Sequence, residues 1–396
     1  MKTRIGVFFG GRSTEHEISV ISASQAMHAI NREKYDVTPI YITKQGRWFT
    51  GEALFDVANY RDTKTLLEKC DEVYMRPVYG DYRLYKVKKP MFGTDVLCNL
   101  DVVIPVLHGS NGEDGTFEGI LDSIGIPYAG CDVLASANGM DKITMKMILQ
   151  ASGIPVVDYI WFTDKQWARQ KDVMIAEIEE KIGYPVIVKP ANLGSSVGIG
   201  RAVDREQLVE KVDDARHYSA RIIVEHMVEH LQEINCSVLG DCDDYETSVL
   251  EEPIKSGEIL SYQDKYMGGS KGSKGMQASQ KRIPADLTAA ETDRIRFLAG
   301  ETFRVLSCHG VSRVDMIVDR DNRNIYVNEI NTIPGSLSFY LWEATGLSFD
   351  RLMDRLVSLA LKRKRDEATK TVSYDGNIFS MGGGVKCGTK GKLGCK

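Results

Sequence analysis

The sequence predicts a multidomain protein of the α/β (α+β) class, and three observations carry that expectation. Strand-like apolar runs alternate with helix-period patterns up to about residue 130. One run, "DVVIPVLHG" (Asp101 to Gly109), is continuously apolar, as a strand buried on both faces must be. And 396 residues, at about 150 per domain, make two or three domains.

The elements follow in order. "RIGVFF" (Arg4 to Phe9) reads as a buried strand turned by Gly10-Gly11 into a helix. Thr14 and Glu17 stand at capping-box spacing, and Val20, Ala23, Met27 and Ile30 form one apolar stripe. That leaves Glu15 without a structural task, at the mouth of a strand–turn–helix where α/β folds keep ligands. After "SNGEDG" a helix starts at Thr116. A second unit carries the helix "MDKITMKMILQASG" and the strands "YPVIVKPA" and "RIIVEHMV". A third has a long loop, "MGGSKGSKGMQASQKR", a helix opened by Thr288 and Glu291, and two strands, "VSRVDMIVD" and "NIYVNEINT", joined by a polar turn. A last amphipathic helix carries Phe349, Leu352, Met353, Leu356 and Leu359 on one side. The expected division is 1–130, 131–228 and 229–365, followed by a flexible Gly/Lys-rich tail over 366–396.

The bulk numbers narrow the function. Hydrophobic content of 43% and charged content of 27% are those of an ordinary globular protein. A net charge of −5 gives no reason to expect nucleic acid. No apolar run approaches the ~18 residues of a membrane span, and no signal-peptide pattern opens the chain. Eight cysteines without a C-x-x-C pair read as reduced thiols in a cytoplasmic protein.

Two constellations carry chemistry. Side chains alternate along a strand, so Arg313 and Asp315 share a face, as Val327, Glu329 and Asn331 do on the neighbouring strand. Two carboxylates and an amide oxygen suit Mg²⁺ holding a phosphate. In "VKPANLGSSVGIG" a lysine ends a strand before a Gly-Ser-Ser loop, whose small residues let backbone N–H groups approach phosphate. Neither a Walker P-loop nor a G-x-G-x-x-G occurs, so a nucleotide must be held another way.

Together "FGGRSTEHEIS", "PVLHGSNGEDGTFEG", "GMDKITMK", "VIVKPANLGSSVG", "SYQDKYMGG", "SRVDMIVD" and "NEINTIPGS" resemble the D-alanine–D-alanine ligases of the ATP-grasp superfamily, in order from residue 9 to 336. The resemblance implies an ATP-grasp fold of three α/β domains with ATP between the second and third. It puts Lys142 and Lys189 on ATP, with Ser196 and Lys265 among the ATP-binding residues. Glu225 is expected on adenine, and Glu233, placed only by its order in the chain, on the ribose. Asp315, Glu329 and Asn331 are the expected ligands of Mg²⁺, as a pair of ions. Glu15 is expected on the amino group of the first D-alanine, acting with Ser195 and Tyr266. Arg313 and the Gly335 N–H would meet the tetrahedral oxyanion. His108 resembles an active-site residue near the second substrate, although a single histidine after a strand is also a common structural residue. The resemblance further implies a homodimer.

Two segments depart from the family pattern. After Pro334-Gly335 the family has small hydroxyl residues that bind the acceptor's carboxylate; here Ser336 and Ser338 are followed by Phe339, Tyr340 and Trp342. The loop expected to close as a lid is long and basic, with Lys271, Lys274, Lys281 and Arg282. Three readings remain: ligation of two D-alanines for peptidoglycan synthesis, the same chemistry with another acceptor (a D-amino acid, hydroxy acid or peptide), or a nucleotide-binding protein without turnover. Retention of Glu15, Arg313, Asp315 and Glu329 together argues against the last.

Overall fold

The structure, a computed structural model, describes residues 2–194, 197–254 and 281–373, with the backbone of 386–387 and 391–392. The chain divides into two units, residues 1–361 and 362–396.

In the first unit, β1 (Thr3–Gly10) is the expected apolar strand, its last six residues buried. It leads into α1 (His16–Ala29), where Val20, Ala23, Met27 and Ile30 are each at most 5% exposed. Burying a large apolar side chain is worth about 1.5–3 kcal/mol, so this stripe, rather than a cap, holds the helix down. The N-cap is Glu15 and not Thr14, as the spacing suggested, and Glu17 pairs instead with Lys44 at 2.6 Å.

The helical crossover returns the chain as β2 (Tyr35–Ile42), parallel to β1. β3 (Trp48–Thr50), α2 (Thr63–Glu68), β4 (Asp71–Met75), β5 (Arg83–Lys86) and β6 (Val96–Asn99) follow, the strands antiparallel. β7 (Val102–Val106) then pairs parallel with the other side of β1, giving seven strands in the order β6-β5-β4-β3-β2-β1-β7. β7 ends the sheet yet is wholly buried. Residues 127–129 cover its edge, with Val103 N–H to Pro127 O and Ala129 N–H to Val103 O both at 2.9 Å. Phe9 lies opposite Val106, so the segments leaving β1 and β7 emerge side by side. Glu15 is in one and His108 in the other.

α3 (Thr116–Ile124), α4 (Val133–Met140) and α5 (Lys142–Ala151) come next. A four-stranded antiparallel sheet, ordered β10-β9-β11-β8, is built from β8 (Tyr159–Thr163), α6 (Asp164–Lys181), β9 (Val186–Pro190), β10 (Gly200–Ala202), α7 (Arg205–Ala215) and β11 (Arg221–His226). The third sheet contains β12 (Leu231–Gly240), β13 (Tyr245–Pro253), β14 (Lys281–Arg282), β15 (Gly310–Asp319) and β16 (Ile325–Asn331), ordered β14-β13-β12-β15-β16. α8 (Ala289–Val305) has the expected Thr288–Glu291 capping box and packs Ile295, Leu298 and Phe303 with Ile234, Val314 and Met316. Ala135 of α4 and Met145 and Leu149 of α5 bury themselves in that same core.

α9 (Phe339–Thr345) and α10 (Phe349–Glu367) follow, and Leu352, Met353 and Leu356 join the core that holds the α1 stripe. In the second unit Lys386–Cys387 pairs antiparallel with Gly391–Lys392. The rest of the tail after residue 373 lies outside the described residues. The six described cysteines are free thiols. Among the described residues no helix is long and apolar enough to cross a membrane.

Candidate active site

β15 and β16 assemble the expected cluster. The Arg313 guanidinium holds the Asp315 carboxylate through two bonds of 2.6 and 2.7 Å. Asp315 stands opposite Glu329, and Arg313 opposite Asn331, whose amide nitrogen donates to Asp315 Oδ2 at 3.0 Å. On β12, Asn235 is opposite Asp315, which puts Glu233, two residues away, on the same face. Burial pushes the Asp315 carboxyl up; the charges of Glu329 and Glu233 add to that, against the pull of Arg313. Among the described residues no three acidic, histidine or cysteine side chains converge as a metal cage. Asp315, Glu329 and the Asn331 amide oxygen are the oxygen donors that the chain offers a hard divalent cation, which fits Mg²⁺ held largely by phosphate and water.

Val327 does not share that face. The ladder shifts register between Asp315 and Met316, so Val327 drops into the core beside Met316 while Asn328 turns toward the site. A bulge re-aims side chains in this way.

Lysines line the other side. Lys189, near the end of β9, donates to Glu225 Oε2 at 2.6 Å and to Asn328 Oδ1 at 3.2 Å. Lys142 opens α5, donates to Leu193 O at 2.9 Å and lies 3.3 Å from Glu329 Oε2. One turn on, the enclosed Lys146 lies 3.2 Å from Glu225 Oε1. Burial opposes the charge on Glu225, but Lys146 and Lys189 hold its carboxyl down to about 2. Burial also opposes the charge on Lys189, and Glu225, Glu329 and Glu233 outweigh it, so its pKa rises. The residues expected separately on adenine and on phosphate, Glu225 and Lys189, are here direct partners.

Glu15 lies between two glycines. A Cβ on Gly109 (φ +72°) would stand 2.6 Å from Glu15 Oε2, and one on Gly194 would stand 2.9 Å from it. The left-handed φ of Gly109 favours glycine there, and at Gly194 a side chain would displace the Glu15 carboxylate. Gly194, which precedes the two serines, is the residue that meets Glu15. Ser195 and Ser196 themselves, like Lys265 and Tyr266, lie outside the described residues. His16 is structural: its ring nitrogens bond Gly11 O at 2.7 Å and Tyr41 OH at 2.9 Å.

His108 Nε2 bonds Ser22 Oγ at 2.9 Å, and the Ser336 N–H donates to the same hydroxyl at 2.9 Å. Burial, assisted by the charge of Arg313, lowers this histidine to about 4, so its ring is neutral. Nearby, Glu113 accepts the N–H groups of Gly109 at 2.8 Å and Ile333 at 3.1 Å. Burial and the charge of Glu15 push its carboxyl up to about 8.

Gly335 opens a tight turn in which Ser336, Leu337 and Ser338 have φ of 53°, 51° and 51°. Left-handed backbone costs about 1–2 kcal/mol per L-residue. Here burial of Leu337 in the core and the Ser336–Ser22 bond hold it. The Ser338 hydroxyl is buried without a hydrogen-bond partner among the described residues. Such an orphan marks a place for a ligand or water.

The three aromatic residues that follow behave differently from one another. Phe339 stacks on Phe349 with ring centroids 4.5 Å apart, and Trp342 is buried, donating to Ser237 Oγ at 2.9 Å. Tyr340 remains on the site side and donates to Glu251 Oε2 at 2.8 Å. Two of the three residues expected to alter the pocket therefore serve the core. Lys281 and Arg282, expected in the lid, instead form β14 and lie 3.5 Å from Glu251 and 3.1 Å from Glu252. Lys271 and Lys274 lie outside the described residues.

Four site residues escaped the sequence reading: Ser22, Glu113, Lys146 and Asn328. Lys146 had a signal, since it stands four residues after Lys142 on one helix face. Glu113 sat in a quoted motif, but nothing local announces a buried carboxyl. For Ser22 and Asn328 the sequence carries none.

The chain matches two family models, "D-ala D-ala ligase N-terminus" over residues 4–131 and "D-ala D-ala ligase C-terminus" over residues 148–358. It is 39% identical over 380 residues to the D-alanine–D-alanine ligase of Thermosipho melanesiensis, covering 95% of this chain and 98% of that one. To that of Caldicellulosiruptor bescii it is 40% identical over 379 residues, covering 95% and 100%. Among solved structures it is similar to the D-alanine–D-alanine ligase from Coxiella burnetii, with a TM-score of 0.76 at 29% identity over 93% of this chain and 96% of that one. The VanG D-Ala:D-Ser ligase from Enterococcus faecalis gives 0.76 at 32% identity, covering 91% and 100%. The fold is thus the ATP-grasp fold that the motifs implied. Full-length similarity and the matched site segments agree: the chain belongs to the D-alanine–D-alanine ligase family of ATP-dependent ligases.

Proposed function

We propose that the chain joins two molecules of D-alanine for peptidoglycan synthesis, using ATP to turn the first carboxylate into an acyl phosphate that the second amine attacks. The observation that carries this reading is Arg313. It grips Asp315 in the carboxylate cluster, and its charge also acts on His108 and Glu113 at the other end. Activating a carboxylate needs a phosphate site and an amino-acid site side by side, and the charge of one guanidinium is felt in both.

In this reading Lys142 and Lys189 bind the ATP phosphates with Ser196 and Lys265, Glu225 meets the adenine and Glu233 the ribose. Asp315, Glu329 and Asn331 hold Mg²⁺, as a pair of ions. The cation supplies charge neutralisation at the transferring phosphoryl group. Glu15, with Ser195 and Tyr266, takes the amino group of the first D-alanine. Arg313 and the Gly335 N–H stabilise the oxyanion, the preorganised electrostatics such a step requires. The acceptor's carboxylate falls to Ser336, linked through Ser22 to neutral His108, and to the Ser338 hydroxyl, which has no hydrogen-bond partner among the described residues. The inward turn of Phe339 and Trp342 removes the main reason to expect an unusual acceptor. The work is divided among three domains, 1–130, 131–228 and 229–365, in a cytoplasmic homodimer.

The test is ADP release with Mg-ATP and D-alanine alone, beside D-alanine paired with D-serine or D-lactate. Robust release with D-alanine alone, with the dipeptide as product, is expected. Release only with another acceptor would reassign the second site.

A further inference from the structure

Lys146 has no task in the chemistry above, yet it is the most deeply enclosed cation of the site, at 0% exposure. Burying an ammonium is costly unless it serves a partner. Its one charged neighbour at ion-pair distance among the described residues is Glu225, 3.2 Å away through Oε1. The two attract as a buried ion pair, off the line of a well-aligned hydrogen bond. Neither Lys146 Nζ nor Glu225 Oε1 has a hydrogen-bond partner among the described residues. The other oxygen, Oε2, is taken by Lys189 at 2.6 Å. Glu225 therefore has one buried oxygen that is balanced by charge and keeps a lone pair for a further donor.

We propose that Lys146 is a specificity-determining positioning residue that balances Glu225 without occupying Oε1, keeping that oxygen ionised and open to the exocyclic amino group of an adenine nucleotide. The inference rests on the assignment of Glu225 to adenine. Lys189 cannot fill this role alone, because the ATP phosphates compete for it. Lys146 has no such competitor, being sealed on α5 one turn behind Lys142. A purine with a 6-oxo group would point lone pairs at Oε1, and a purine without a 6-substituent would leave it empty. A buried acceptor left unpaired is how a polar site rejects an analogue strongly.

The test compares kcat/KM for ATP, ITP and purine riboside triphosphate, with saturating D-alanine, in the wild type and in Lys146→Met, Lys146→Gln and the double variant Lys146→Met/Glu225→Met. Lys146→Gln keeps a donor beside Oε1, and the double variant replaces a buried pair by apolar chains, a change that proteins often tolerate. Both guard against a single variant that fails to fold. The ATP preference is expected to fall by roughly 10-fold or more in each. A merely structural role would lower activity with all three nucleotides together and leave their ratios intact. If the preference collapses in the double variant but persists with Lys146 alone replaced, Lys146 is not the positioning group and the Glu225 assignment stands. If the double variant keeps the preference, the Glu225 assignment fails, and the proposal with it.

Discussion

Around Lys189, four buried charges, Lys142, Lys146, Lys189 and Glu225, face opposite charges at 2.6 to 3.3 Å. Around Glu15 the solution differs. Glu113 has no ion pair among the described residues; it is satisfied by two backbone N–H groups, and burial pushes it toward its neutral acid. His108 is likewise held neutral. Both ends face the same problem, a charge removed from water, and it can be met by pairing or by neutralisation. Paired lysines can exchange their carboxylates for an incoming polyanion. Neutral Glu113 and His108 leave Glu15 as the charged carboxylate of that pocket, and they make its stability depend on pH.

The largest effect should come from breaking the paired end. Glu329→Gln leaves Lys142 without its carboxylate partner and removes a proposed metal ligand. Turnover with Mg-ATP is expected to fall on the order of 10²- to 10³-fold, with an unchanged circular dichroism spectrum. Undiminished ADP release would take Glu329 out of the metal assignment.

A smaller effect separates the two ends by pH. The Glu113 carboxyl rises from its usual 4.5 to about 8 in the folded protein, so its contribution to stability is full below 4.5 and lost as pH rises toward 8. His108 falls from 6.5 to about 4, so its contribution is full above 6.5 and lost as pH falls toward 4. Between 4.5 and 6.5 the two slopes oppose; above 6.5 that of Glu113 stands alone. Thermal melts of the wild type should show declining stability from pH 6.5 to 8, and Glu113→Gln should flatten that decline. A decline of equal size in the variant would assign it to another group.

The smallest is Ser22→Ala, which removes the hydroxyl shared by His108 and the Ser336 N–H. It should cost about 1–3 kcal/mol of stability and raise the KM for D-alanine several-fold, with the KM for ATP unmoved. Equal changes in both would show that the two ends are not independent.

Much of the candidate site was legible in short windows. Period-two alternation and a short turn placed Arg313, Asp315, Glu329 and Asn331 together, and the motifs marked Lys142, Lys189 and Glu15. What could not be read was one inserted residue in β16, which sent Val327 to the core and Asn328 to Lys189. Nor could the inward turn of Phe339 and Trp342, which depends on space left by Phe349 and Ser237.

By itself the sequence determined the strands and helices that carry the motifs, the chemistry of each motif and the family, because each depends on neighbours within a few residues or on matched segments. The tertiary structure alone decided protonation and pairing. Ile333 donates to Glu113 from 220 positions away, and Ser336 to Ser22 from 314. A carboxyl's charge is set by how much water the rest of the fold removes and which groups it brings close. Periodicity and local spacing do not encode that distance.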